Sequence, residues 1–410
     1  MVEPVFECDV LIVGGGMVGT ALACALGGSD LRVAVLEPGP VPQLPGAEYD
    51  LRVSAISAAS CALFEAVGVW KAIKEFRVAD IQEMRIWDAA GKGCIHFDAA
   101  DIGAASLGYI IENSVMLAML HQRMQQYRNV SYNSPVKLQQ IQLEPAQATA
   151  IADNGQQWRA RLLVGADGAH SQVRQLLGIK ASGWDFQQKG IVATVTTEKP
   201  HQHTAWQRFL PTGPLAFLPL KDPHQCSIVW SADSARADAL MTLDDAGFVE
   251  QLEVAFENAL GAIKHISPRQ AFGLNLSHAR HYVQPRVALV GDAAHRMHPL
   301  AGQGVNMGYA DAAVLAQVIM DAMERRKDVG EFAILRRYER WRRGDNTAML
   351  LATDGFKRLF GTEQPLIASL RNTGLGIADK LQPFKNKIMR LASGLEAELP
   401  GIIKNVGMLP

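Results

Sequence analysis

Residues 10–19, Val10-Leu11-Ile12-Val13-Gly14-Gly15-Gly16-Met17-Val18-Gly19, decide the fold: an apolar run meets three consecutive glycines and enters an alanine-rich stretch that ends at Gly27 and Gly28. The pattern predicts a strand, a tight turn and a helix, with Gly14, Gly16 and Gly19 in the GxGxxG register. Each glycine has its own work: a sharp turn, close approach of a pyrophosphate to the backbone, and close packing of helix on strand. Met17 and Val18 open the helix, whose free N–H groups and positive dipole end suit phosphate. A second strand, Leu31 to Leu36, ends in Glu37 and Pro38, about twenty residues beyond the glycines. A carboxylate there accepts from a ribose 2′-OH and repels a 2′-phosphate. The stretch alone leaves open whether the adenosine belongs to NAD or to FAD.

Composition sets the frame. At 410 residues, 48% hydrophobic and 20% charged, the chain has material for one large domain and a second lobe. A net charge of −1 and the lack of any long basic run argue against nucleic acid as a partner. Glu3, Glu7 and Asp9 stand where a signal peptide needs positive charge, and no run approaches the roughly 18 apolar residues of a membrane span. The expectation is a cytoplasmic protein, with peripheral contact on the inner membrane left open. Cys8, Cys24, Cys61, Cys94 and Cys226 are scattered, so neither a disulfide nor zinc is implied. His201 and His203 have no acidic or cysteine partner at ligand spacing, and no metal is expected.

Along the chain, a proline-rich loop from Pro38 to Pro45 leads to Leu51–Ile56 and a helix through Val69, with Arg52 at its entry able to neutralise a pyrophosphate. Glu83–Asp88 and Cys94–Asp98 predict a hairpin. Glu112–Tyr127 predicts a helix and Val130–Leu138 a strand. Leu162–Val164 then runs into Gly165-Ala166-Asp167-Gly168, with Ser171 and Arg174 following at helical spacing. From Gly190 to Trp230 the texture is β-rich with Pro, Gly and His turns, predicting a mostly antiparallel substrate platform joined by the hairpin. Thr242–Leu260 predicts one helix and Ala271–Leu276 a strand. Arg286–Val290 ends in Gly291-Asp292, a loop with His295, His298, Pro299 and Gly302 follows, and Gly304 opens a helix to about Met323. Three glycine turns, at Gly14, Gly165 and Gly291, thus close apolar strands, and all three are expected at one sheet edge, where ligands bind. A cofactor longer than NAD suits that edge.

With these motifs in order, the chain resembles the FAD-dependent aromatic hydroxylases, the class A flavoprotein monooxygenases like p-hydroxybenzoate hydroxylase. Gly165-Ala166-Asp167-Gly168 is similar to the family's DG motif, and Gly291-Asp292 with His295 and Pro299 to its GD motif. The runs Leu51–Ser60, Gly108–Val115 and Gly291–Gly308 most resemble the bacterial ring hydroxylases of ubiquinone biosynthesis. The resemblance implies an α/β fold: a Rossmann-like FAD-binding domain (1–75, 99–180 and 277–355), a β-sheet substrate domain (76–98 and 181–276) and a C-terminal helical tail (356–410). It implies noncovalent FAD held by Gly14, Gly16, Met17, Val18, Gly19, Glu37, Pro38, Arg52, Val136, Ala166, Asp167, Gly168, Gly291, Asp292, Pro299, Gly302, Gly304, Val305 and Asn306. In this set Asp292 meets the ribityl chain, Arg52 the pyrophosphate, and Val305 and Asn306 the pyrimidine edge of the flavin.

The activity so implied is hydroxylation of a polyprenylated phenol or quinol: NAD(P)H transiently reduces FAD, dioxygen adds, and the flavin hydroperoxide delivers one oxygen atom to the ring. Other classes compatible with the motifs are a hydroxylase of another aromatic compound, a prenyl-lipid flavin reductase, and a non-catalytic FAD-binding subunit of a biosynthetic complex. No side chain is aimed at the substrate by sequence alone, so the catalytic base stays unassigned. The tail from Gln364 to Leu395 mixes apolar positions with Arg371, Lys380, Lys385, Lys387 and Arg390. Such a segment can lie on a membrane, dock on a partner, or pack its apolar face on the FAD domain with its cations in water.

Overall fold

Val10, Leu11, Ile12, Leu162, Leu163, Val164, Val287 and Leu289 are each completely buried, as strands of a parallel sheet covered on both faces must be. A computed structural model of the chain describes residues 5–91, 93–297, 303–360, 379, 381–394 and 400–404. Its first sheet runs in the order Val283–Gln284, Val287–Leu289, Gln157–Gly165, Val5–Val13, Val33–Leu36, Val130–Asn133, with the strands Leu138–Leu143 and Ala148–Ala152 attached to its side. Val13 pairs with both Leu36 and Gly165, and Gly165 with Leu289, all in parallel. The strands therefore finish level, and the three glycine turns emerge at one edge as expected.

The second sheet has nine strands. Its spine is the 17-residue strand Ala181–Thr197, flanked by Gln225–Asp233 and Gln270–Ala279. The predicted hairpin, Glu83–Asp88 and Cys94–Asp98, joins it through parallel pairing with Thr204–Leu210. A three-stranded sheet of Val53–Ile56, Gly108–Glu112 and Ala79–Ile81 lies alongside.

Two expectations need correction. The helix expected over Thr242–Leu260 is shorter, Asp245–Ala255, and an unpredicted helix Ser234–Thr242 precedes it; Leu243 is extended between them and the Asp244 carboxylate caps the second by accepting from the Gly247 N–H at 2.8 Å. The described part of the tail also departs from expectation. Helix Gln382–Ala392 packs Ile388 and Met389 on Ile95 and Phe97 of the second-sheet hairpin, rather than on the dinucleotide sheet. Its Lys385 does not face water: it is buried and donates to the His96 carbonyl at 2.7 Å, beside Asp379 and Asp101. The helix end then touches the first-sheet side, where the Ser393 carbonyl accepts from the Ala59 N–H at 3.2 Å. Arg371 and Lys380 lie outside the described residues. No helix among the described residues is long and apolar enough to cross a membrane.

Candidate active site

The glycines of the first turn answer to three separate constraints. Gly14 has φ +107°, and a Cβ there would strike the Ala166 carbonyl, so this glycine lets the first turn pack on the second. A Cβ at Gly19 would strike the Gly14 carbonyl. Gly16 alone faces open space, with nothing within 4 Å of the position a Cβ would take. It is the position where a phosphate can approach the backbone at the start of helix Met17–Ala25.

At the adenosine end, Glu37 accepts from the Gly15 N–H at 2.7 Å through Oε2 and from the Gly39 N–H at 2.8 Å through Oε1. Each carboxylate oxygen keeps a second lone pair for a ribose hydroxyl. Pro38 is exposed beside it. Val136 is buried and its N–H donates to the Glu37 carbonyl at 2.8 Å, so it supports this end of the edge from behind.

The second and third turns are clipped together. Asp167 Oδ2 accepts from the Val173 N–H at 3.0 Å, while its Oδ1 is buried with no partner among the described residues. Arg174 donates to the Ala169 carbonyl at 2.8 Å and across to the Ala293 carbonyl at 2.7 Å. Gly291 has φ +60° and lies against Val18. Asp292 projects into the cleft, open to the cavity but enclosed by protein; burial raises its carboxyl pKa, opposed by His295, Arg296 and Arg52.

Between the edge and the second sheet is a cavity of about 360 Å³. Gly16, Met17, Val18, Ala166, Gly168, Gly291, Asp292, Gly304 and Val305 line one side, and Val192, Val229, Phe272 and Leu274 the other. Arg52 reaches in from the entry strand with its guanidinium 5.2 Å from the Phe272 ring centroid. The Asn306 side chain turns away from the cavity, so the expected contact with the flavin edge falls to its backbone at the helix start. Oδ1 accepts from the Ser57 N–H at 3.0 Å and the Ser60 hydroxyl at 2.8 Å, and Nδ2 donates to the Ala55 carbonyl at 2.8 Å. It staples the start of helix Gln303–Glu324 to its neighbours. His298, Pro299 and Gly302 lie outside the described residues.

Sequence reasoning missed Asp311. This residue is fully buried, accepting from the Gly291 N–H at 3.0 Å, His295 Nε2 at 2.6 Å, Arg342 Nε at 2.8 Å and Asn346 Nδ2 at 3.3 Å. Burial would raise its pKa, but His295 and Arg342 outweigh burial and hold it down at about 2. One acid inside the otherwise apolar run Tyr309–Leu315 was the available signal. His295 is thereby occupied and does not face the cavity. His201 bonds backbone carbonyls at 2.9 and 3.1 Å, and no metal-holding cluster occurs among the described residues.

A level edge of three glycine turns, a carboxylate at the end of the second strand and a cavity between that edge and the second sheet together define a dinucleotide-binding fold with a second, β-rich wall. The FAD binding domain family matches residues 7–351. Human ubiquinone biosynthesis monooxygenase COQ6, mitochondrial, is 37% identical over 94% of this chain and 92% of its own length. The 3-demethoxyubiquinol 3-hydroxylase of Escherichia coli K12 is 37% identical over 94% of this chain and 98% of its own length. The solved structure of p-nitrophenol 4-monooxygenase PnpA from Pseudomonas putida DLL-E4 shares the fold, with a TM-score of 0.78 at 19% identity over 97% of this chain and all of that one. The chain belongs to the FAD-dependent hydroxylases of ubiquinone biosynthesis, and its cofactor is FAD.

Proposed function

We propose that this protein hydroxylates the aromatic ring of a polyprenylated phenol or quinol, consuming NAD(P)H and dioxygen. The observation that carries the reading is the cavity shared by the three-turn edge and the apolar wall of Val192, Val229, Phe272 and Leu274. Bound FAD supplies reductive activation of dioxygen for transfer of one oxygen atom to the ring. The chain supplies position, charge and dryness. Gly16 and the start of helix Met17–Ala25 receive the pyrophosphate with Arg52 opposite, Glu37 takes the ribose, and Asp292 the ribityl chain. Gly304 and Val305 present a helix start toward the flavin, where unpaired N–H groups favour negative charge. Val192, Val229, Phe272 and Leu274 hold the ring and exclude water from the oxygen-transfer step. None of these wall residues is titratable, so the reading assigns no general base.

We further place the division into FAD-binding residues 1–75, 99–180 and 277–355, substrate residues 76–98 and 181–276, and a tail from 356. The eight-stranded sheet falls wholly within the first set and most of the nine-stranded sheet within the second, although Ala79–Ile81 pairs with Gly108–Glu112 and His295–Arg296 with Gln270–Ala279 across the boundaries. A prenylated substrate implies collection at the inner membrane from the cytoplasmic side or from a biosynthetic complex, because such a molecule does not diffuse freely in water. The test is aerobic turnover of the purified yellow protein with a short-chain prenylphenol: a hydroxylated product formed with NAD(P)H oxidation supports the reading. NAD(P)H-dependent quinone reduction without an added oxygen favours a reductase, and absence of NAD(P)H oxidation with any phenol favours a non-catalytic subunit.

A further inference from the structure

Helix Phe332–Phe360 carries none of the flavin motifs, yet it reaches the flavin-facing turn at one remove. The contact is made through Asp311, which lines no part of the cavity. One of its carboxylate oxygens accepts from the Gly291 N–H and His295, the other from Arg342 and Asn346. His295, Arg342 and Asn346 are themselves 2%, 5% and 0% exposed. Arg342 has further acceptors in Asp345 at 3.1 Å and Asn346 Oδ1 at 2.7 Å, and Asp311 is the acceptor that ties this layer to the Gly291 N–H. The layer continues: Asn346 Nδ2 lies 3.4 Å from the Tyr282 hydroxyl, which meets His278 Nε2 at 2.8 Å.

We propose that Asp311 is a positioning residue for FAD: it fixes the turn from Gly291 to His295 so that Asp292 projects into the cleft, with Arg342 and Asn346 holding Asp311 in register. The proposal rests on the FAD reading of the cleft. Physically, removing the carboxylate strands the Gly291 N–H and leaves His295 without its acceptor, while Arg342 keeps Asp345 and Asn346, and the turn that relaxes to solvate the stranded groups is the one that carries Asp292. A second acid in the same domain provides the comparison. Asp328 pairs with Arg286 and Arg161 and accepts from the Gly330 N–H, but it sits near the opposite ends of the strands and is 36% exposed in its side chain.

The experiment measures FAD release from the full-length holoprotein on dilution, by flavin fluorescence, with visible circular dichroism of the bound flavin. Asp311→Asn is expected to weaken FAD roughly tenfold or more, the scale of one lost hydrogen bond to a charged group, and to change the flavin dichroism. Asp328→Asn is expected to lower the thermal midpoint while leaving FAD affinity and dichroism as in the wild type. An Asp311→Asn protein whose FAD affinity stays within about twofold of wild type overturns the proposal, as does equal weakening by Asp328→Asn. Should Asp311→Asn fail to fold, His295→Gln decides, because it leaves the Asp311–Arg342 pair intact: weaker FAD with altered dichroism supports the proposal, and wild-type behaviour overturns it. Failure of the wild-type protein itself to hold FAD would instead remove the FAD reading.

Discussion

Gly14 and Gly16 stand two residues apart and answer to different constraints. A methyl group at Gly14 meets the Ala166 backbone at a positive φ, whereas one at Gly16 meets only the space a phosphate would occupy. Gly14→Ala is expected to lower the thermal midpoint of the FAD-free protein, because turn must move away from turn. Gly16→Ala is expected to leave that midpoint unchanged and to release FAD on gel filtration. Equal effects of the two substitutions on the FAD-free midpoint would show that the phosphate site is misplaced. Asp311 gives a pH signature. Its carboxyl is held down at about 2, below the ordinary 3.8, so its stabilisation is complete above the unfolded value and is lost as pH falls from about 4 toward 2. The urea midpoint of the wild type should therefore fall more steeply than that of Asp311→Asn between about pH 5 and pH 3; parallel falls would contradict the assignment. Glu37 and Asp292 were legible in the sequence because each directly follows a short apolar strand or its terminal glycine. Asp311 was not, since its four donors come from a turn, a two-residue strand and a helix up to 35 residues away in the chain.

Among the elements, the central strands Val5–Val13, Val33–Leu36, Gln157–Gly165 and Val287–Leu289 read cleanly because burial on both faces demands unbroken apolar runs, whereas the expected strand Val130–Leu138 ends at Asn133 and Leu138 opens the separate, largely exposed strand Leu138–Leu143. The helices after Asp233 did not read cleanly either: Ser234–Thr242 went unread and the next was begun at Thr242 instead of Asp245, because the boundary depends on one capping aspartate, Asp244, inside a continuous polar and apolar mixture. Helix Gln382–Ala392 was read only as amphipathic; which surface its apolar face covers is set by the hairpin of another sheet, nearly three hundred residues earlier. Deleting residues 382–410 uncovers Ile95 and Phe97 and removes the packed Met389, a loss of about 2–5 kcal/mol from burial alone. The truncated protein is expected to have a lower thermal midpoint and faster proteolysis of the 83–98 hairpin. An unchanged midpoint combined with lost association with anionic liposomes would instead make the tail a membrane contact.

For the molecule as a whole, the cavity joins two sheets of different origin: a parallel edge of glycine turns and a mostly antiparallel, largely apolar wall that also carries Ser227, Asn275 and Arg296. That division explains why the cofactor end was largely readable from glycine spacing, whereas the wall was not. Val192, Val229, Phe272 and Leu274 come from three strands, and only their pairing brings them to one face. The most direct measurement of the hydroxylase reading supplies the FAD-loaded protein with NAD(P)H, a prenylphenol and isotopically labelled dioxygen, and follows the product by mass spectrometry. One labelled oxygen atom on the aromatic ring, formed in step with NAD(P)H oxidation, is the expected result. Oxidation of NAD(P)H that leaves the ring unlabelled and yields only hydrogen peroxide or a reduced quinone would contradict it.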